Sequence, residues 1–230
     1  MRWQQVRATP GSRYLAIVGR VIGVIEDYDV DPASVGVPSW LASGDALRRL
    51  GGGEVVVELS GLAPEGAADL AEEVAGDVRL VMRWGSHGPS VSAAALYEAA
   101  PLVVLRSDSS VLRELAARTT DTGIEFMVEY MDDGTAAFFE GERYSVRLPF
   151  IRSLAALHTH PEGACGLSKK DVDSAVQLLT EGGLFSGAVT ETCAYVVYRL
   201  GPVLEDDYIA VKSGKGWEGL RSVKTRVVGL

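Results

Sequence analysis

One segment of this chain restricts its fold more than any other. Leu157-His158-Thr159-His160 closes an apolar run that starts at Ser153, and Pro161 follows at once. Side chains at i and i+2 of a β-strand point to the same face, so a strand here aims both imidazoles at one point. Pro161 stops the strand, and the glycine-rich stretch to Gly166 lets the chain turn back. Ser168 then begins a helix with Asp171 in its first turn. Val172, Ala175, Val176 and Leu179 line one face of it as far as Gly182-Gly183. A carboxylate at that place can return to the two histidines. Two nitrogens and one oxygen make a three-ligand zinc site with its fourth position open, the pattern of catalytic rather than structural zinc. Each part also has a plainer reading. Paired strand histidines occur as surface residues or hydrogen-bonded core residues, and Ser168-x-x-Asp171 matches a capping box that stabilises a helix by about 1 kcal/mol.

Taken together, these residues resemble the JAMM (MPN+) metalloprotease motif: His-x-His-Pro, six residues, Ser, two residues, Asp. Here the six run from Glu162 to Leu167. The resemblance covers roughly residues 109–212. It implies Zn2+ ligands at His158, His160 and Asp171, one ion per chain, and an oxyanion-stabilising role for Ser168. Members of that family hydrolyse peptide or isopeptide bonds, typically at the C-terminus of ubiquitin or a ubiquitin-like protein, and prokaryotic relatives act on small sulfur-carrier proteins. The family also uses an upstream glutamate, on the strand after its first helix, which takes a proton from the attacking water and delivers it to the leaving amine. Glu125, in Gly123-Ile124-Glu125-Phe126, matches that position, and Glu129 on the same strand face is its competitor. The interval from Glu125 to His158 is short and reads as hairpins, so the family insertions that select ubiquitin linkages are expected to be absent. The resemblance thus implies a zinc peptidase or isopeptidase acting on a ubiquitin-like or sulfur-carrier protein. The alternative is a non-cleaving MPN-type scaffold that binds a ubiquitin-like partner.

The fold class expected is α/β. Residues 1–108 read as a small N-terminal domain of βαβ type, and residues 109–230 as a JAMM/MPN-like αβ core with a mixed sheet flanked by helices. In the first part, Arg13 to Glu26 is an apolar, β-branched stretch. Asp45 to Leu50, Pro64 to Ala75 and Ser90 to Ala100 read as helices, and Glu54 to Ser60, Val78 to Trp84 and Leu102 to Arg106 as strands. In the second part a helix from Ser109 to about Arg118 precedes strands at Glu125 to Met131, Thr135 to Phe139 and Tyr144 to Leu148. Ala188 to Arg199 and Tyr208 to Lys212 read as the closing strands, with Trp217 to Val223 as an optional short helix.

Charge and cysteine content narrow the partners. The formal net charge is −9, and acidic residues outnumber basic ones in both parts, so the broad basic surface that nonspecific nucleic-acid binding needs is missing. The longest apolar stretch, Tyr14 to Ile25, is too short for a membrane span and carries Arg20. No small-residue cleavage site marks a signal peptide, so cytoplasmic residence is expected and no membrane partner. Two cysteines exclude a disulfide-stapled secreted scaffold. Cys165 reads as a small buried residue, or as a thiol close enough to the metal to ligate it or block it on oxidation. Cys193 reads as a core residue. His87 reads as a loop histidine, with ligand binding as its sharper role. Gly19-x-x-x-Gly23 and Gly51-Gly52-Gly53 match neither a dinucleotide fingerprint nor a phosphate cradle. Oligomeric state is open.

Overall fold

The computed structural model describes residues 2–49, 53–61, 63–75, 78–85, 90–143, 153–161 and 165–230. In chain order the strands are β1 (Arg2–Ala8), β2 (Gly36–Pro38), β3 (Gly53–Leu59), β4 (Leu70–Val74), β5 (Val78–Trp84), β6 (Ser90–Ser92), β7 (Ile124–Met131), β8 (Thr135–Arg143), β9 (Ser153–Thr159), β10 (Phe185–Val189), β11 (Cys193–Arg199) and β12 (Val223–Gly229). The helices are α1 (Pro10–Asp27), α2 (Asp45–Arg49), α3 (Ala94–Ser107), α4 (Ser109–Thr122), α5 (Lys169–Thr180) and α6 (Glu205–Lys212). The α/β class is as expected. No helix among the described residues is long and apolar enough to cross a membrane.

The main sheet has seven strands in the order β1-β8-β7-β9-β10-β11-β12. β9 and β10 are parallel and every other neighbouring pair is antiparallel. A parallel pair needs a crossover, and α5 supplies it, so the end of β9 and the start of α5 lie at the same edge of the unit. A second sheet, β3-β5-β4, and a β2-β6 ribbon come from the chain between α1 and α3.

The boundary expected near Asp108 does not part these elements. β1 pairs with β8 across the whole chain, and α1 packs on β7, β8 and β9. One hydrophobic cluster joins Tyr14, Ile17 and Ile22 of α1 to Leu80 of β5, Val104 of α3, and Val128 and Phe185 of the main sheet. Asp108 itself is buried. It accepts hydrogen bonds from the Thr9 hydroxyl (2.7 Å) and the Gly11 amide (3.0 Å) at the N-terminus of α1, where the helix dipole favours a carboxylate.

Several elements differ from their sequence readings, each for a physical reason. The β-branched stretch from Arg13 is the middle of α1, started by a capping box between Thr9 and Ser12 with Pro10 in its first turn. Burial on several sides outweighs the modest helix cost of valine and isoleucine. Gly19 lets this helix approach β9, since a Cβ there would lie 2.7 Å from Leu154 Cδ1. Pro101 lies inside α3 rather than ending it, and Val103, Val104 and Leu105 pack as helix instead of the expected strand. Pro64 to Ala75 holds β4 and turns instead of a helix. Ala188 to Arg199 belongs to a hairpin of β10 and β11, not to one strand. Tyr208 to Lys212 is the end of α6, and Trp217 to Ser222 form turns that lead into the C-terminal strand β12 instead of the optional helix. Asp207 of α6 pins that strand's start by accepting from the Arg221 and Ser222 amides. The readings of Tyr144 to Leu148 as a strand and of His87 as a loop or ligand-binding residue lie outside the described residues.

Candidate metal centre

β9 runs between β7 and β10 in the interior of the main sheet. His158 lies opposite Met127 on one side and Ala188 on the other. The His160 amide donates to the Val189 carbonyl at 2.9 Å, which carries the extended conformation one residue past the strand. The i, i+2 rule therefore holds through His160, and both imidazoles project to one face. Their Nε2 atoms are 2.9 Å apart, and the ring planes meet at 68°.

Asp171 closes the group from the first turn of α5. Its Oδ1 lies 3.5 Å from His158 Nε2 and its Oδ2 3.4 Å from His160 Nε2. A tetrahedral ion with bonds of about 2.0–2.1 Å holds its ligand atoms about 3.3 Å apart. The three observed separations bracket that length, so the donor set fits a single metal ion. These three residues are the group of metal-ligating side chains found among the described residues. His158 is buried, while His160 and Asp171 are partly open to solvent, which leaves an approach for a fourth ligand.

The plain capping reading of Ser168 and Asp171 also holds, and the two roles coexist. Asp171 Oδ2 accepts from the Ser168 amide at 2.8 Å, and the Ser168 hydroxyl accepts from the Asp171 amide at 3.3 Å. A carboxylate has about four lone-pair sites, enough for a cap and a metal together. The cap fixes the rotamer that turns Asp171 toward the histidines. Burial pushes the Asp171 carboxyl up, but hydrogen bonds from His158 and His160, the charge of His158 and a hydrogen bond from Ser168 outweigh it and hold the group ionised, well below the usual carboxylate range. Ser168 is exposed at the same helix end, and its hydroxyl lies beside the Asp171 carboxylate.

Glu125 lies near this group on β7. The β7–β8 register shifts between Ile124 and Phe126: β8 carries the extra residue, and Glu125 is the single β7 residue opposite it. Burial pushes its carboxyl up, and the charges of His158 and His160 pull it part of the way back. A raised carboxyl is better matched to proton transfer near neutral pH. Glu129, the competitor, is buried and hydrogen-bonded to Ser153 at the far end of β9. The structure therefore brings Glu125, and not Glu129, to the histidines.

Cys165 and Cys193 are disulfide-bonded, with Cα atoms 6.2 Å apart. This corrects both cysteine readings: neither thiol is free, and Cys193 is only partly buried at the start of β11. The bond fastens Cys165, three residues before Ser168, to the main sheet beside Thr190, whose hydroxyl accepts from the Cys193 amide at 3.1 Å. Spacing along the chain carries no signal for that pairing. Nor does it signal Thr119 and Thr159, whose hydroxyls meet behind the histidines at 2.5 Å.

No family model matches the chain, and no curated protein or solved structure matches it either.

Proposed function

We propose that this chain is a zinc-dependent peptidase or isopeptidase of JAMM type, acting at the C-terminus of a ubiquitin-like or sulfur-carrier protein. The observation that carries the reading is the meeting of His158, His160 and Asp171 at tetrahedral spacing with Glu125 in their field. A zinc ion held there supplies a polarised carbonyl and water acidified to a pKa of about 7. Glu125 takes the proton of the attacking water and passes it to the leaving nitrogen. The Ser168 hydroxyl donates to the oxygen of the scissile carbonyl as charge develops on it. Asp171 and the two histidines bring one negative charge to the ion, and the capping box keeps that carboxylate oriented. An extended substrate tail suits such a site, since main-chain pairing beside a strand recognises a flexible C-terminus.

Metal analysis of purified protein tests the site first. About one zinc per wild-type chain and little in His160→Ala is the expected result. Equal low metal in both, unrestored by added zinc, overturns the metal reading. With metal established, ubiquitin-like and sulfur-carrier fusions are the substrates to screen, and Glu125→Gln is the metal-loaded, inactive control. Cleavage by Glu125→Gln at the wild-type rate removes Glu125 from the mechanism.

A further inference from the structure

The β7–β8 ladder is irregular opposite Glu125, where β8 carries one residue more than β7, so pairing on that side does not by itself fix the place of Glu125. The β7–β9 ladder starts at Met127 and His158. One step further would set Phe126 opposite Thr159. There the backbone pairing stops, and a side chain replaces it: the Phe126 amide donates to Thr159 Oγ1 at 2.8 Å. Thr159 is buried, and by strand alternation its side chain lies on the opposite face from His158 and His160. Its hydroxyl meets Thr119 Oγ1 at 2.5 Å, and Thr119, also buried, donates to the Leu115 carbonyl at 3.1 Å. Gly123 caps the same helix through its amide on Thr119 O, with φ of 69°. A hydrogen-bonded chain links the Phe126 amide through the Thr159 and Thr119 hydroxyls to the Leu115 carbonyl of α4, and Thr159 Oγ1 also lies 3.4 Å from the Phe126 carbonyl.

We infer that Thr159, backed by Thr119, is the positioning residue that holds the Glu125 segment of β7 against the histidine-bearing end of β9. The residue between the two ligands thus serves the proton-transfer group rather than the metal. This rests on the reading that Glu125 works beside a metal centre. Removing the hydroxyl leaves the Phe126 amide without its acceptor and releases Glu125, while the ligands stay in place.

Cobalt(II) chloride added to the metal-stripped full chain tests this without a substrate. The visible spectrum reports stoichiometry and coordination, and its pH midpoint reports the proton equilibrium beside the ion. Glu125→Gln defines the full shift of that midpoint. The charged groups that act on Glu125 are His158, His160, Asp171 and Lys170, and all stay unaltered in the threonine variants. Thr159→Val is expected to bind one cobalt ion with the wild-type band positions, yet to move the midpoint by at least half of the Glu125→Gln shift. Thr159→Ser, which keeps the hydroxyl, is expected to restore it. Thr119→Val is expected to shift it in the same direction, and it carries the test if Thr159→Val does not fold. A wild-type midpoint in Thr159→Val, or in Thr119→Val if that variant alone folds, overturns the inference while leaving the metal centre standing. Failure of the wild-type chain to bind cobalt, or no shift in Glu125→Gln, overturns the underlying site reading and this inference with it.

Discussion

The described residues contain two parallel strand pairs, built on different crossovers. β9 and β10 are joined by α5, whose capped N-terminus brings Asp171 to the histidines at the end of β9. β3 and β5 are also parallel, but the chain between them holds β4, which turns back to pair with β5. The exposed side of that sheet carries ion pairs, Glu54 with Arg79 at 3.3 Å and Asp69 with Arg83 at 3.8 Å. The difference shows why the metal-ligating side chains collect at one pair. A helix crossover aims backbone N–H groups and first-turn side chains at a strand end. A strand crossover spends the same groups on the ladder and leaves only a packed scaffold.

The comparison can be broken by substitutions on the two sides, taken from the largest effect to the smallest. His160→Ala is expected to weaken zinc binding by more than the roughly 10–100-fold seen for outer-shell partners, measured by competition with a chelator, with modest change in stability of the metal-free chain. Leu80→Ala in the fully buried core of β5 should do the reverse. It should lose about 2–5 kcal/mol of stability in urea, with unchanged zinc affinity per folded molecule. If Leu80→Ala weakens zinc binding of the folded fraction, the two units are energetically coupled and the contrast fails.

Opening the disulfide sharpens the same contrast within the metal unit. Cys165 and Cys193 are 28 residues apart, and closing a loop of that size stabilises by about 3–4 kcal/mol in the chain-entropy account. Cys193→Ser should therefore lower the unfolding temperature, and zinc affinity should fall with it because the bond fastens the segment leading to Ser168. An unchanged affinity would show that the cap alone orients Asp171. At the small end, Ser168→Ala should cost about 1 kcal/mol as a lost cap but lower turnover by more than that cost accounts for. Arg79→Ala, breaking an exposed pair, should stay within about 0.5 kcal/mol. Equal effects of these last two on turnover would deny Ser168 a role in the reaction.

The legible parts of the molecule were those set by short-range spacing. The i, i+2 histidines, the proline stop and the Ser-x-x-Asp cap each operate within a few residues, and the structure keeps all three arrangements. β3, β5, β7 and β9 were legible for the same reason, as alternating or apolar runs bounded by turns. The misreadings came where tertiary burial overrode local preference. Val103 to Leu105 follow a proline and look like strand, yet α1 offers α3 an apolar partner and the helix continues. Leu70 to Val74 have helical composition, but the open edge of β5 takes them as a strand.

By itself the sequence determined which side chains form the candidate centre and which local elements carry them, because strand alternation and helix capping act over two to four residues. Only the tertiary structure decided that the first residues complete the sheet of the last, since β1 finds its partner β8 more than a hundred residues away. Only it paired Cys165 with Cys193 and brought Thr119 behind Thr159. It also chose Glu125 over Glu129. Both lie on one strand and both are carboxylates, and the histidines beside one and a serine partner at the other separate them. Contacts of that kind depend on how strands from distant parts of the chain align, and hydrophobic burial, which aligns them, carries no record of sequence distance.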